Sequence, residues 1–147
     1  MHLANAISYI MDGEKTQDGA LVGSHNCGVD TALQEMLATK RKYGKTDKRQ
    51  GYHFIISFKK QEVRPETAME ITQKFVEKYF GDDFQCLYAT HDTTQHVHSH
   101  ILFNSVSWRT GKKYRYEKGD WAKEIQPIVN ELCREYGLSI QDIEVGA

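Results

Sequence analysis

Residues 91–104 read His-Asp-Thr-Thr-Gln-His-Val-His-Ser-His-Ile-Leu-Phe-Asn and hold four of the chain's seven histidines. Successive side chains of a strand point to opposite faces. His96, His98, His100, Leu102 and Asn104 therefore share one face, and Val97, Ile101 and Phe103 the other. One face is rich in imidazole, the other is apolar. The turn-like Asp92-Thr93-Thr94-Gln95 separates a strand over Val97–Ser105 from a preceding one over Gln85–His91, which predicts an antiparallel hairpin with one side against a core.

The rest of the chain alternates helix and strand signals around that hairpin. Leu3 to Met11 places Leu3, Ala6, Ile7 and Ile10 on one side of a helix that Gly13 ends. Asn5, Ser8 and Tyr9 lie off that stripe, Tyr9 by roughly 130°, so its hydroxyl is expected to face a cleft. A second helix is expected from an Asp30 N-cap to Tyr43, with Leu33, Met36 and Leu37 inward and Gly44 as stop. Tyr52–Phe58 reads as a strand with His53, Ile55 and Ser57 on one face. Pro65 opens a third helix of about 15 residues carrying Ala68, Ile71, Phe75 and Tyr79 inward, with Gly81 beyond it. Trp121, Ile125, Ile128, Val129 and Leu132 mark a last amphipathic helix closed by Gly137, after which the final ten or so residues are expected to fray. This order predicts an α+β fold, a palm-like sandwich of an antiparallel sheet with helices packed on one face.

The histidines carry the chemistry. Two same-face imidazoles on one strand have Cβ atoms roughly 6.5–7 Å apart, close enough to grip one ion. His91 at the end of the paired strand is the natural third donor, giving His-x6-His-x-His from His91, His98 and His100. Three neutral imidazoles leave coordination positions open, as a catalytic site requires. Asp92 or His96 is expected to orient a ligand ring or assist proton transfer, because ligand histidines usually donate their second N–H to a neighbour.

These residues resemble a known family. His-Asp followed by His-x-His, a hydrophobe and Asn104 is similar to the histidine motif of relaxases, the mobilisation nucleases of conjugative plasmids and transposons, within the His-hydrophobe-His endonuclease superfamily. Ala6-Ile7-Ser8-Tyr9-Ile10-Met11-Asp12-Gly13-Glu14-Lys15-Thr16 resembles the relaxase segment with the nucleophilic tyrosine, and Tyr9 is the matching residue. Tyr52-His53-Phe54-Ile55-Ile56-Ser57-Phe58 resembles the middle motif, whose serine is associated with DNA contact, which Ser57 would make here. The resemblance implies a site- and strand-specific nickase acting at an origin of transfer. Tyr9 would attack the phosphate, form a 5′-phosphotyrosine adduct and so conserve the bond energy for resealing. A phenol is a poor nucleophile at neutral pH without help. The implied helper is a divalent cation, Mn or Mg first and Zn, Ni or Co as alternatives, polarising the phosphate oxygens. Relaxases of this kind carry a strand before the tyrosine helix, whereas this chain begins at that helix, so a sheet strand is expected to be missing or supplied from elsewhere. Residues 1–147 are expected to form a single catalytic domain, standing alone or cut from a longer protein.

Three other readings share the same residues. A replication-initiator or transposase-type nuclease would use a downstream tyrosine, Tyr114 or Tyr116. A zinc hydrolase would use metal-bound water and leave no adduct, and a binding module would hold an inert metal.

Composition bears on the partner. A formal charge of −1 is no footprint of a nucleic-acid binder, but Lys40, Arg41, Lys42, Lys45, Lys48 and Arg49 crowd one segment and Arg109, Lys112, Lys113, Arg115 and Lys118 another. Lys45, Arg109 and Lys113 are the expected phosphate contacts, and Tyr116, set among Lys and Arg, an expected stacking partner for single-stranded DNA. Accessory transfer proteins are the other implied partners. The chain has neither a membrane-length apolar run nor a signal layout, which predicts a cytoplasmic protein, and Cys27, Cys86 and Cys133 read as reduced thiols.

Overall fold

A computed structural model describes residues 2–59, 61–93 and 96–146 of the chain. Thr94 and Gln95, half of the expected hairpin turn, lie outside the described residues. The elements run α1 Leu3–Ile10, β1 Val22–His25, α2 Ala32–Lys42, β2 Gly51–Phe58, α3 Pro65–Phe80, β3 Cys86–Asp92, β4 Val97–Asn104, a π-helical turn Trp121–Ile125, α4 Gln126–Glu135 and β5 Asp142–Gly146. The strands form one sheet in the order β1-β3-β4-β2-β5, and every neighbouring pair is antiparallel.

The sheet divides the interior. Its apolar face, with Phe54, Ile56, Tyr88, Val97, Ile101 and Phe103, is covered by Ala68, Ile71, Phe75 and Phe80 of α3 and by Val129 and Leu132 of α4. The opposite face offers a smaller patch of Leu87, Ala89 and Leu102, onto which Leu3 and Ile10 of α1 and Ala32 and Met36 of α2 pack. The α+β class with an antiparallel sheet is thus as expected, but helices cover both faces rather than one. The second pair of helices, α1 and α2, covers the part of the histidine face that turns apolar at Leu87, Ala89 and Leu102.

Local chemistry sets the ends of the elements. Pro65 opens α3, where its missing N–H would be unpaired anyway, and Gly81 at φ 53° stops it in a conformation that favours glycine. At the start of α2 the N-cap is Thr31, not Asp30, and no side chain caps it directly. Glu35 reaches back instead, accepting from the Gly28 N–H at 2.8 Å and the Thr31 hydroxyl at 2.7 Å. The last helix starts with a π turn because Pro127 cannot donate into a regular ladder and its ring crowds the preceding carbonyl.

Two strands were not expected. β1 sits at one edge beside β3, where Gly23 leaves room for the Tyr88 ring, which a Cβ there would meet at 2.6 Å. β5 is built from the residues expected to fray: it pairs with β2 from Ser57↔Asp142 to His53↔Gly146 and buries Ile143. All three cysteines are free thiols. Among the described residues no helix is long and apolar enough to cross a membrane.

Candidate active site

Register builds the site. β3 and β4 pair so that His91 stands opposite His98, and β2 adds Ser57 opposite His98 and Ile55 opposite His100. The ring centres of His91 and His100 lie 4.2 Å apart, those of His98 and His100 6.4 Å. Tyr9 completes the group from α1. Its ring stands edge-on to His91 at 5.6 Å and to His100 at 5.7 Å, and it remains 52% exposed. The expected cleft-facing phenol and the imidazoles are therefore side by side.

Hydrogen bonds settle part of the ring chemistry. The His91 Nε2–H donates to the Ile10 carbonyl at 2.8 Å, so its Nδ1 carries the lone pair. His53 Nε2 and His100 Nδ1 share a hydrogen at 2.8 Å. His100 is held down to about 3, mainly by burial and then by the charges of His91, His53, His98 and Lys15. Burial is also the first cause of the lowered pKa of His91, His53 and His98. All four rings are consequently neutral at neutral pH, the form that ligates a metal or accepts a proton.

Two imidazoles sharing one ion at bonds of about 2.1 Å have ring centres roughly 5 Å apart. The observed 4.2 and 6.4 Å bracket that spacing, and the Nδ1 of His91 and Nε2 of His100 are the nitrogens left over. By donor type, three neutral imidazoles such as His91, His98 and His100 suit a divalent cation. They are not turned to a common point: among the described residues no three His, Cys, Asp or Glu side chains stand in a ligating cluster. His98 instead stacks on His96, with ring centres 5.0 Å apart at 13°.

Other sequence-predicted residues divide into those near the site and those elsewhere. Ser57 is beside His98. Asp92 does not meet an imidazole; its carboxylate accepts from the Gln17 amide at 3.4 Å. Asn104 is not at the site but beneath α2, where its Nδ2 donates to the Met36 carbonyl and to Gln85 Oε1, both at 3.1 Å, and its Oδ1 accepts from Lys40. The face that β4 presents to the histidines runs on under the helices, which is why the same alternation covers both. Lys45 is bonded to the Gly111 carbonyl and Arg109 to Asp83 through Nε at 2.7 Å, so each is at least partly structural. Lys113 bridges to Val106 in the same loop region and its charge reaches Lys40. Tyr116 is exposed and lines a cavity with Arg49, Tyr52, Val145 and Gly146. The rival Tyr114 lies on the other side of the sheet, bonded to the Tyr79 hydroxyl at 2.6 Å, with its pKa raised by burial.

Two residues join the site without having been named for it. His53 had a signal, since period-two alternation already put it on the Ser57 face. Lys15 stands with its Nζ 5.1 Å above the Tyr9 ring centre. The loop that carries it is fixed to the sheet: the Asp92 N–H donates to the Lys15 carbonyl at 2.8 Å, and the buried Thr16 hydroxyl donates to the Asp12 carbonyl at 2.9 Å.

Comparison with known proteins gives a consistent picture. The family model described as "Relaxase: MobA/VirD2-like, nuclease domain" matches residues 9–138. A Staphylococcus aureus protein named rlx is 38% identical over 117 residues, covering 80% of this chain and 35% of its own length. Another rlx protein from the same species is 33% identical over 139 residues, covering 95% of this chain and 41% of its own. The group II intron-interrupted relaxase LtrB of Lactococcus lactis is 29% identical, covering 82% of this chain and 25% of its own length. The chain thus spans between a quarter and two fifths of these relatives. No solved structure matches the chain.

Proposed function

Because the chain belongs to the MobA/VirD2-like relaxase nuclease family, we propose that it nicks one DNA strand at an origin of transfer in plasmid or transposon mobilisation, with Tyr9 as the nucleophile. The observation that carries this reading is the half-open Tyr9 ring set edge-on against His91 and His100. The Tyr9 oxygen attacks the scissile phosphorus. A phenolic O–P bond forms, the P–O3′ bond breaks, and the product is a 5′-phosphotyrosine and a free 3′ hydroxyl. The proton lost by the phenol passes to a neutral imidazole or water and is returned to the 3′ oxygen, so no oxidant or nucleotide is consumed.

His91, His98 and His100 are the residues that would hold a divalent cation. Bound there, such an ion would supply Lewis-acid stabilisation of the phosphate's non-bridging oxygens. The chain's own contribution is orientation and charge. Burial keeps the imidazoles neutral, the Ile10–His91 bond fixes the end of the nucleophile's helix, and Lys15 places an ammonium above the phenol ring, next to where the phosphate would bind. Single-stranded DNA is the proposed substrate, with Ser57 beside the histidines, Lys113 and the remaining donors of Lys45 and Arg109 on phosphates, and Tyr116 stacking a base near Arg49. Asp92 and His96 are left supporting roles at the rim. Accessory transfer proteins and a cytoplasmic setting complete the proposal.

The reading disfavours a downstream nucleophile, because Tyr114 is committed to Tyr79 on the far face. The test is incubation with an origin-bearing oligonucleotide and a divalent ion, followed by mass analysis of the tryptic peptides. The expected adduct is on the peptide containing Tyr9, and Tyr9→Phe lowers its yield by at least three orders of magnitude. An adduct on the Tyr116 peptide, or product without any adduct, would overturn the assignment.

A further inference from the structure

Away from its buried Leu3 and Ile10, α1 and the turn that ends it carry Asn5, Ser8, Tyr9 and Asp12. Their spacing of i, i+3, i+4 and i+7 is one helical stripe with the proposed nucleophile in its middle. With Met11 these residues line an open cleft of about 690 Å³. Among the described residues neither the Asn5 amide nor the Ser8 hydroxyl has a hydrogen-bond partner, although a helix face of this kind is ordinarily free to carry any solvated side chain. One Asp12 oxygen accepts from the Glu14 N–H at 3.1 Å, which holds the carboxylate at the cleft's edge and leaves the other oxygen open.

The charge of the cleft selects what can enter it. Asp12 is its one charged lining residue, and it is negative. A backbone phosphate is repelled by that carboxylate, whereas the Lys15 ammonium above the Tyr9 ring attracts the scissile phosphate. What fits against an acceptor-only carboxylate, an amide, a hydroxyl and a thioether is the flat, hydrogen-donating edge of an unpaired base. Guanine presents two adjacent N–H donors beside a carbonyl acceptor, which match the Asp12 carboxylate and the Asn5 amide N–H; thymine offers the carboxylate one donor with a carbonyl on either side, and cytosine and adenine set a ring acceptor against it.

We infer that this cleft is a nucleobase subsite, in which Asn5 and Asp12 read a guanine of the single strand next to the phosphate that Tyr9 attacks. The inference rests on the proposed action on single-stranded DNA and gives the helix of the nucleophile a second role as a specificity element.

The test uses binding, not cleavage. A randomised single-stranded DNA library is bound to the full chain, to Asp12→Asn and to Asn5→Leu, and the bound fractions are sequenced. The expected result is one position enriched in guanine by the parent chain, with that preference reduced on the order of 10-fold by either variant. Asn5 is exposed and Asp12 half-buried, and unchanged thermal melting shows that the variants are folded. The inference is overturned if no position is enriched in guanine, or if all three proteins select the same sequences. A chain that shows the guanine preference yet forms no tyrosyl adduct would remove the catalytic reading and leave the subsite standing.

Discussion

Lys40 is buried with no carboxylate beside it among the described residues; its ammonium donates to the Gln50 carbonyl at 2.6 Å, to the Ser105 hydroxyl at 2.9 Å and to Asn104. Burial, then the charge of Lys113, lowers its pKa to about 8. Asn104 is the side chain that connects this cation to α2 and to Gln85. Replacing it by leucine leaves a buried charge and two polar groups short of partners. Asn104→Leu is expected to destabilise the fold by about 3 kcal/mol, read from urea midpoints. Adduct yield per folded molecule should stay at the parent level, whereas an auxiliary role beside the metal would lower it. From sequence, Asn104 looked like a member of the histidine face, and by alternation it is; nothing in a single strand says where the helices begin to cover it. His53 shows the reverse. Its place beside His100 depends on β2 pairing with β4, a long-range choice that strand periodicity does not contain.

At the scale of elements, the strength of a segment's own signal decided what could be read. The β3–β4 hairpin has alternation and β-branched content, and α3 has Pro65 at its start, Gly81 at its end and a full apolar stripe; both stand where expected to within a residue or two. β1 is four residues, Val-Gly-Ser-His, all half-buried, and exists because the edge of β3 offers a ladder and Gly23 clears the Tyr88 ring. β5 did carry alternation in Ile143 and Val145, masked by its place behind the closing Gly137. Its hold on the sheet is specific: Ile143 is buried in the large core, and its carbonyl accepts from the Trp121 indole at 2.7 Å. Ile143→Ala is therefore expected to cost about 3 kcal/mol and to raise hydrogen exchange in β5 before β2. Equal protection in parent and variant would mean that the strand is held by its edge pairing alone.

For the molecule as a whole, the four neutral imidazoles link stability to pH. Each folded pKa lies below the ordinary value of 6.5, His100 at about 3. Above 6.5 neither state is protonated and these groups add no slope. Below it the unfolded chain takes up protons that the folded chain refuses, so stability falls as pH falls. Metal-free protein should lose urea resistance between pH 6.5 and 5, above the range where ordinary carboxylates titrate, and His100→Gln should flatten that slope. An unchanged midpoint across the window would show that the rings are protonated in the fold. The same imidazoles also bear on how the proposed reaction could run backward. The Ile10 carbonyl is an orphan acceptor at the end of α1, and His91 is what ties it to the sheet. A DNA end esterified one residue earlier, as proposed, would be leashed to β3 by a ring of the site itself, and the departing 3′ end would find its target where it left it.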